Sequence, residues 1–350
     1  MIISSATIIE GNSMNHSSAS FTNLLDAFGQ SQPPIMEYRE GEDFASWQDR
    51  FRDQLTHLRS PLPERPEPKA EIVETVEQED HVRFRLDIRV TDYSTLPANL
   101  LIPRDLGTGD KCPGMLVLHG HESDIDTICG ARGMEEGDND RRAYALFAVR
   151  AGYATLAPAM WGWEGREGHL ELIGQRDKCN VIQMAAGMYG LNLMDLHLQD
   201  QQAALDLLAS RPEVDAARIG CLGNSTGGRM TMWLSIFDQR IRACVPAGCM
   251  NTFRERSLKL SSCGLQYPFG LLRYGDVPEL FSLIAPRPMQ LQVGAQDPLI
   301  TPADRDAMEQ KVRQAYRHLD AEDSFDYVLH PEGHILQWDE AAEFLRKNLQ

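Results

Sequence analysis

Basic charge is scarce in this sequence: 34 Lys and Arg stand against 51 Asp and Glu in 350 residues, a formal net charge of −17. Polyphosphate binding rests on clustered Lys and Arg, and no basic block is present, so no nucleic-acid partner is expected. Long apolar runs are missing as well. No stretch approaches the ~20 residues of a membrane span, and Met1 to Leu25 has neither a basic start nor a sustained apolar run, so neither a membrane partner nor a signal peptide is expected. Cysteine pairs are the third absence. Cys112, Cys129, Cys179, Cys221, Cys244, Cys249 and Cys263 are odd in number and contain no C-x-x-C pair. They read as free thiols of a reducing compartment, many of them filling the core, and the expected location is the cytoplasm.

What is present is an ordinary globular composition, 42% hydrophobic and 24% charged. A chain of this length buries roughly three quarters of its unfolded surface and has room for a water-excluding pocket. Residues 1–40 are polar and aperiodic, end in Gln32-Pro33-Pro34, and read as an N-terminal arm through which a homo-oligomer would form. In residues 41–62, Phe44, Trp47, Phe51, Leu55 and Leu58 keep the period of one helical face until Pro61 stops it, which predicts a docking helix. The remainder, 63–350, reads as one catalytic domain. Alternation over Val82–Val90 and then Pro97–Ile102 predicts two half-exposed strands.

From residue 114 the pattern changes to short apolar runs separated by helical stretches. Strands are expected at 115–118, 153–157, 219–222, 243–245, 289–293 and 325–329, and helices at about 140–151, 193–210, 226–237, 302–319 and 338–348. The last but one shows the logic: Thr301 is the N-cap, Pro302 suits the first helical position, and Met308, Val312, Ala315 and Leu319 keep the period. Strands alternating with helices imply an α/β fold, a mostly parallel, doubly wound sheet with helices on both faces. Two long connections, about 160–192 and 248–287, are rich in Gly, aromatics and Met and read as lid-like segments.

Gly223-Asn224-Ser225-Thr226-Gly227-Gly228 lies between an expected strand and an expected helix. A tight strand-turn-helix elbow needs small residues on both sides of an exposed nucleophile, which points to Ser225. The other reading is a glycine-rich turn or phosphate cradle, but there is no G-x-x-x-x-G-K-[ST] and no acidic ribose ligand at dinucleotide spacing. A serine hydroxyl needs a base, and the base needs an orienting acid. Asp297, just past the strand 289–293, is the candidate acid, although Asp-Pro after a strand is also simply a good turn. His330-Pro331-Glu332-Gly333-His334 offers two histidines. His334 is preferred, because Gly333 gives its loop freedom to fold back over the sheet edge while His330 closes the strand. Acyl transfer also requires oxyanion donors, expected from the backbone N–H groups of Thr226 and of His121 in the loop after 115–118. His119 and His121 with Glu122, Asp124 and Asp126 admit a metal reading, since imidazoles two apart can share an ion; no further His/Cys cluster stands at ligand spacing.

These residues resemble the α/β-hydrolase superfamily, and within it the dienelactone-hydrolase and acetyl-xylan-esterase-like branch with a serine nucleophile. The resemblance runs from about Trp47 to Leu345. It is carried by Leu118-His119-Gly120-His121, by Pro212-Glu213-Val214-Asp215 and Arg218-Ile219-Gly220 leading into the elbow, by Leu283-Ile284-Ala285-Pro286-Arg287-Pro288 and by Gly294-Ala295-Gln296-Asp297-Pro298. It implies an α/β-hydrolase fold, a Ser225/Asp297/His334 triad, an oxyanion hole from the His121 and Thr226 amides, no cofactor or metal, and hydrolysis of a carboxylic ester, a small-molecule substrate. Serine at 225 departs from dienelactone hydrolases proper, whose nucleophile is cysteine, and His121 stands where acetyl-xylan esterases usually carry an aromatic residue.

Trp161 and Trp163 either wall the substrate pocket or pack their loop against the body. Arg229, one turn past Ser225, is expected to pair with a local carboxylate. The strong negative charge favours neutral or cationic substrates, unless a local patch such as Arg254/Arg256 reverses it. A peptidase, amidase or C–C hydrolase would use the same triad, and a non-catalytic binding protein would keep the fold without the chemistry.

Overall fold

The computed structural model describes residues 20–132, 141–168, 178–258 and 263–350. Among them nine strands form one sheet: β1 (Ala70–Glu77), β2 (His81–Thr91), β3 (Ser94–Pro103), β4 (Cys112–Leu118), β5 (Ala154–Pro158), β6 (Val214–Asn224), β7 (Ile241–Ala247), β8 (Met289–Gly294) and β9 (Phe325–His330). Their spatial order is β1-β2-β3-β5-β4-β6-β7-β8-β9. β4 to β9 pair in parallel, while β1, β2 and β3 pair antiparallel and join the rest through β5. This is the α/β-hydrolase arrangement, mostly parallel and covered by helices.

Burial follows strand direction. Every residue of β4, β5 and β8 is buried, as parallel strands under helices on both faces require. β1 is exposed along nearly its whole length and carries Glu71, Glu74 and Glu77, the charged edge that discourages pairing with another chain. Its mixed alternation gave no strand signal in the sequence.

The helices Leu193–Ser210, Thr226–Phe237, Pro302–His318 and Trp338–Leu349 lie within a residue of their expected bounds. The helix Phe44–His57 is capped by Asp43 and buries Phe44, Trp47, Phe51 and Leu55. Gln48 fastens it to the body by donating to the Ser282 and Ala285 carbonyls at 2.8 and 2.9 Å. Residues 1–19 of the expected arm fall outside the described residues; within the rest, Phe21–Ser31 is a helix that buries none of its own residues. Among the described residues no helix is long and apolar enough to cross a membrane.

Chain order places the site. After β4 the chain moves to β5 on one side, then returns to lay β6 against β4 on the other. Opposite connections leave a crevice at the carboxyl ends of these two strands. The β4–β6 register aligns Leu118 with Gly223, so His119-Gly120-His121 and Asn224-Ser225-Thr226 leave the sheet side by side.

Candidate active site

Ser225 sits at the sharpest point of the elbow, with φ 61° and ψ −119°, a left-handed conformation that costs a non-glycine residue of order 1–3 kcal/mol. Surrounding bonds hold it there. Its N–H donates to the Ala247 carbonyl on β7 at 2.8 Å, and its carbonyl accepts from Arg229 N–H at 3.0 Å as the helix begins. Gly227 is obligatory at this turn, because a Cβ there would stand 2.1 Å from the Leu118 carbonyl oxygen.

The other two candidates meet beyond β8 and β9. His334 Nδ1 lies 2.6 Å from Asp297 Oδ2, and the second Asp297 oxygen, Oδ1, accepts from Leu299 N–H at 2.9 Å. The Asp297 carboxylate is fully buried and has both oxygens engaged. The reason the His334 loop reaches back differs from the sequence reading. Gly333 has an ordinary φ and a Cβ there would come no nearer than 3.9 Å to its closest neighbour, the Gln296 carbonyl oxygen, whereas a Cβ on Gly294 would meet the Gly333 carbonyl oxygen at 2.0 Å and that of Glu332 at 2.4 Å. The loop lies flat across Gly294, and the freedom needed is at the end of β8. Asn224 Nδ2 donates to the His334 carbonyl at 3.4 Å and ties this loop to the elbow. His330 is buried at the strand end, and burial lowers its pKa.

Ser225, His334, His121 and Thr226 all line one cleft of about 230 Å³. Thr226 is the first residue of its helix, so its N–H is among those that helix geometry leaves without an intrahelical acceptor. His119 is fully buried beneath them. Its Nδ1 donates to the Gly120 carbonyl at 2.9 Å, its Nε2 accepts from Met160 N–H at 3.2 Å, and burial lowers its pKa to about 4. With both ring nitrogens occupied, His119 cannot share an ion with His121, which removes the metal reading built on that pair.

Several sequence expectations change in three dimensions. Trp161 and Trp163 are not among the cleft-lining residues. Trp163 stands edge-on behind His119 and His121 at centroid distances of 5.2 and 5.3 Å, and the Arg166 guanidinium covers Trp161 at 3.8 Å. Their ring faces are used in packing the loop. Among the described residues Arg229 pairs with no carboxylate either. It is buried, bonds to the carbonyl and side-chain oxygens of Asn251, and lies over the Phe253 ring at 4.5 Å.

The cleft also contains Arg256, of the basic pair noted in the sequence, and three residues without a sequence signal, Arg142, Gln266 and Cys263. Gln266 Nε2 donates to Thr226 Oγ1 at 3.2 Å and braces the start of the helix. Burial lowers the pKa of Arg256, opposed by the nearby Asp297 charge. The Cys263 thiol is pushed down to about 6, chiefly by its hydrogen bond with Cys179 and further by His121.

Residues 128–330 match the model of the dienelactone hydrolase family. The chain is 29% identical over 306 residues to "Putative hydrolase YtaP" of Bacillus subtilis (strain 168), covering 85% of this chain and 98% of that one. Among solved structures it resembles a "putative acetyl xylan esterase" from Bacteroides fragilis, with TM-score 0.77 and 16% identity over 98% of this chain and 97% of the other. A glucuronoyl esterase from Solibacter usitatus matches with TM-score 0.68 and 16% identity over 91% and 98% of the two chains. Both likenesses are of fold.

Proposed function

The chain belongs to the dienelactone hydrolase family, and from that premise we propose that it is a serine hydrolase that cleaves carboxylic esters through an acyl-enzyme. The observation that carries this reading is the convergence in one cleft of Ser225, on its left-handed elbow, with the His334–Asp297 pair at 2.6 Å. Asp297 accepts from Nδ1–H and so keeps the neutral imidazole in the tautomer whose Nε2 accepts a proton. Ser225 attacks the ester carbonyl, His334 takes the hydroxyl proton and returns it to the leaving alcohol, and water then attacks the acyl-enzyme by the same route. Asp297 stabilises the imidazolium that forms in each half of the reaction. The Thr226 and His121 amides supply the donors for the tetrahedral oxyanion.

The substrate we infer is a small acyl ester of a polar alcohol such as a carbohydrate. The cleft combines Arg142, Arg256, Glu122 and Gln266 with Leu299 and Leu336, a lining that suits a hydroxyl-rich alcohol beside a short acyl group. The likeness to an acetyl xylan esterase supports the same direction, whereas a glucuronoyl ester carries its sugar on the acyl side. The two guanidinium groups make the cleft locally more positive than the net charge of −17 suggests.

Intact-mass spectrometry after incubation with a fluorophosphonate tests the nucleophile. One adduct is expected on the native chain and none on Ser225→Ala. An unlabelled native chain, or an adduct that survives in the variant, overturns the assignment. A panel of p-nitrophenyl acyl esters, acetylated sugars and matched amides then separates esterase from amidase.

A further inference from the structure

At the cleft that holds Ser225 and His334, three side chains from distant parts of the chain converge. They are His121 after β4, Cys179 in the helix Lys178–Gly187, and Cys263 just before the turn Gly264–Gln266. One ligand-capable atom of each lies within 4.8 Å of the other two. Cys179 Sγ is 3.8 Å from His121 Nδ1 and 4.0 Å from Nε2. No sequence motif joins them, since 58 residues separate the first two and more separate the last two.

We propose that His121, Cys179 and Cys263 form a site for a thiophilic divalent cation of the Zn2+ class, with three protein ligands and a fourth position facing the cleft. Two thiolates and a neutral imidazole are a zinc-selecting donor set. The charges also balance, since two thiolates cancel the dication where an uncompensated charge would be costly. Metal–ligand lengths of about 2.0–2.3 Å place tetrahedral N and S donors roughly 3.5 Å apart and two S donors roughly 3.8 Å apart. The 3.8 Å between Cys179 and His121 is already close to that spacing.

The frame around the three donors is fastened. Asn180, next to Cys179, accepts from Gly264 N–H at 2.9 Å, which ties the helix carrying one thiol to the turn carrying the other. Gln183, one turn further along that helix, accepts from Leu193 N–H at 2.7 Å. Trp163 stands perpendicular to the His121 ring and limits its swing. Lys178 lies over the Trp163 ring at 4.1 Å and opposes a cation, but it is one positive charge beside two thiolates.

Access determines the kind of site. Cys179 is fully buried, whereas His121 and Cys263 both line the cleft, so an ion enters from the cleft and turns its remaining position towards it. Three protein ligands with an open position describe a zinc that takes water or a ligand oxygen, in contrast to the closed four-ligand sites that serve structure. The ion would sit in the cleft with Ser225 yet share none of its donors with Ser225, His334 or Asp297. His121 enters the hydrolase reading only through its backbone N–H.

Titration of the full chain with Co2+ under a non-coordinating reductant tests the proposal. One equivalent is expected to bind, with a thiolate-to-metal charge-transfer band and tetrahedral d–d bands that Zn2+ abolishes by displacement. Cys179→Ser and Cys263→Ser should each weaken binding by more than about 100-fold, because loss even of outer-shell partners typically costs 10–100-fold. Should one serine variant fail to fold, the other still reports through the loss of its charge-transfer band. Ser225→Ala should bind Co2+ as the native chain does, so failure of the hydrolase reading would leave this result standing. A native chain with no charge-transfer band, or binding undiminished in the folded serine variants, overturns the site.

Discussion

Ser225, Asp297 and His334 each stand within four residues of the carboxyl end of a parallel strand, on β6, β8 and β9. A second wall region of the same cleft, with the side chain behind it, has one residue of that kind, His121 after β4; Cys179 and Cys263 come from the two long connections. The first wall inherits its geometry from sheet register, which fixes neighbouring strand ends relative to one another. The second depends on contacts between connections, such as Asn180 with Gly264 and Trp163 with His121. A sheet-built wall announces its chemistry in local patterns, while a connection-built wall does not.

The sharpest way to break this contrast is to remove the hydroxyl of the elbow. Ser225→Ala should lower ester turnover by about 10⁵–10⁶-fold with an unchanged circular dichroism spectrum; a variant that keeps most of its activity would move the chemistry away from the sheet-built wall. Asp297→Asn should cost about 10⁴-fold in kcat, since the amide holds His334 in the wrong tautomer. A steady-state comparison with the native chain measures this, and a loss under tenfold would leave Asp297 as a turn residue. Gly227→Ala probes the frame itself, because its Cβ would stand 2.1 Å from the Leu118 carbonyl oxygen. Denaturant unfolding should show a loss of about 3 kcal/mol or more, and a neutral result would mean that the elbow relaxes freely.

His119, where the two walls meet, gives the prediction in pH. Its pKa is lowered to about 4 by burial, against about 6.5 in the unfolded chain. Between these values the unfolded state binds the proton and the native state does not, so stability is complete above about 6.5 and falls as pH drops towards 4. The contribution is about 3 kcal/mol, and protonation would also set Nε2–H against the Met160 N–H that it now accepts. His197, fully buried and lowered in the same sense, adds to the slope. Urea unfolding at pH 7 and pH 4.5 checks this, and His119→Gln should flatten the dependence. An unchanged slope in that variant would assign the acid sensitivity elsewhere.

Much of the fold was legible in the sequence because helix and parallel-strand signals are local. The helix Thr226–Phe237 begins where the glycines following Ser225 indicate, and Thr301 and Pro302 mark the start of Pro302–His318 by cap and φ alone. Phe21–Ser31 was passed over although its signal is local: Phe21, Leu24, Leu25 and Phe28 keep the helical period behind the Ser20 N-cap, and the polar residues around them masked it. β1 was missed for a physical reason: as an exposed edge strand it has no buried face to imprint alternation. The preference for His334 rested on Gly333, whereas the close approach that shapes the loop is over Gly294, a contact between two strand ends that neither segment reveals by itself.

By itself the sequence determined the strand and helix alternation, the elbow at Ser225 and the chain order of serine, aspartate and histidine, because backbone periodicity and turn chemistry are set by residues a few positions apart. Only the tertiary structure decided that Arg229 meets Asn251 rather than a carboxylate, that Trp161 and Trp163 do not line the cleft, and that His121 gathers two cysteines. Those outcomes depend on which connections pack together once the sheet has closed, and side chains brought together across tens of residues leave no period for a local pattern to record.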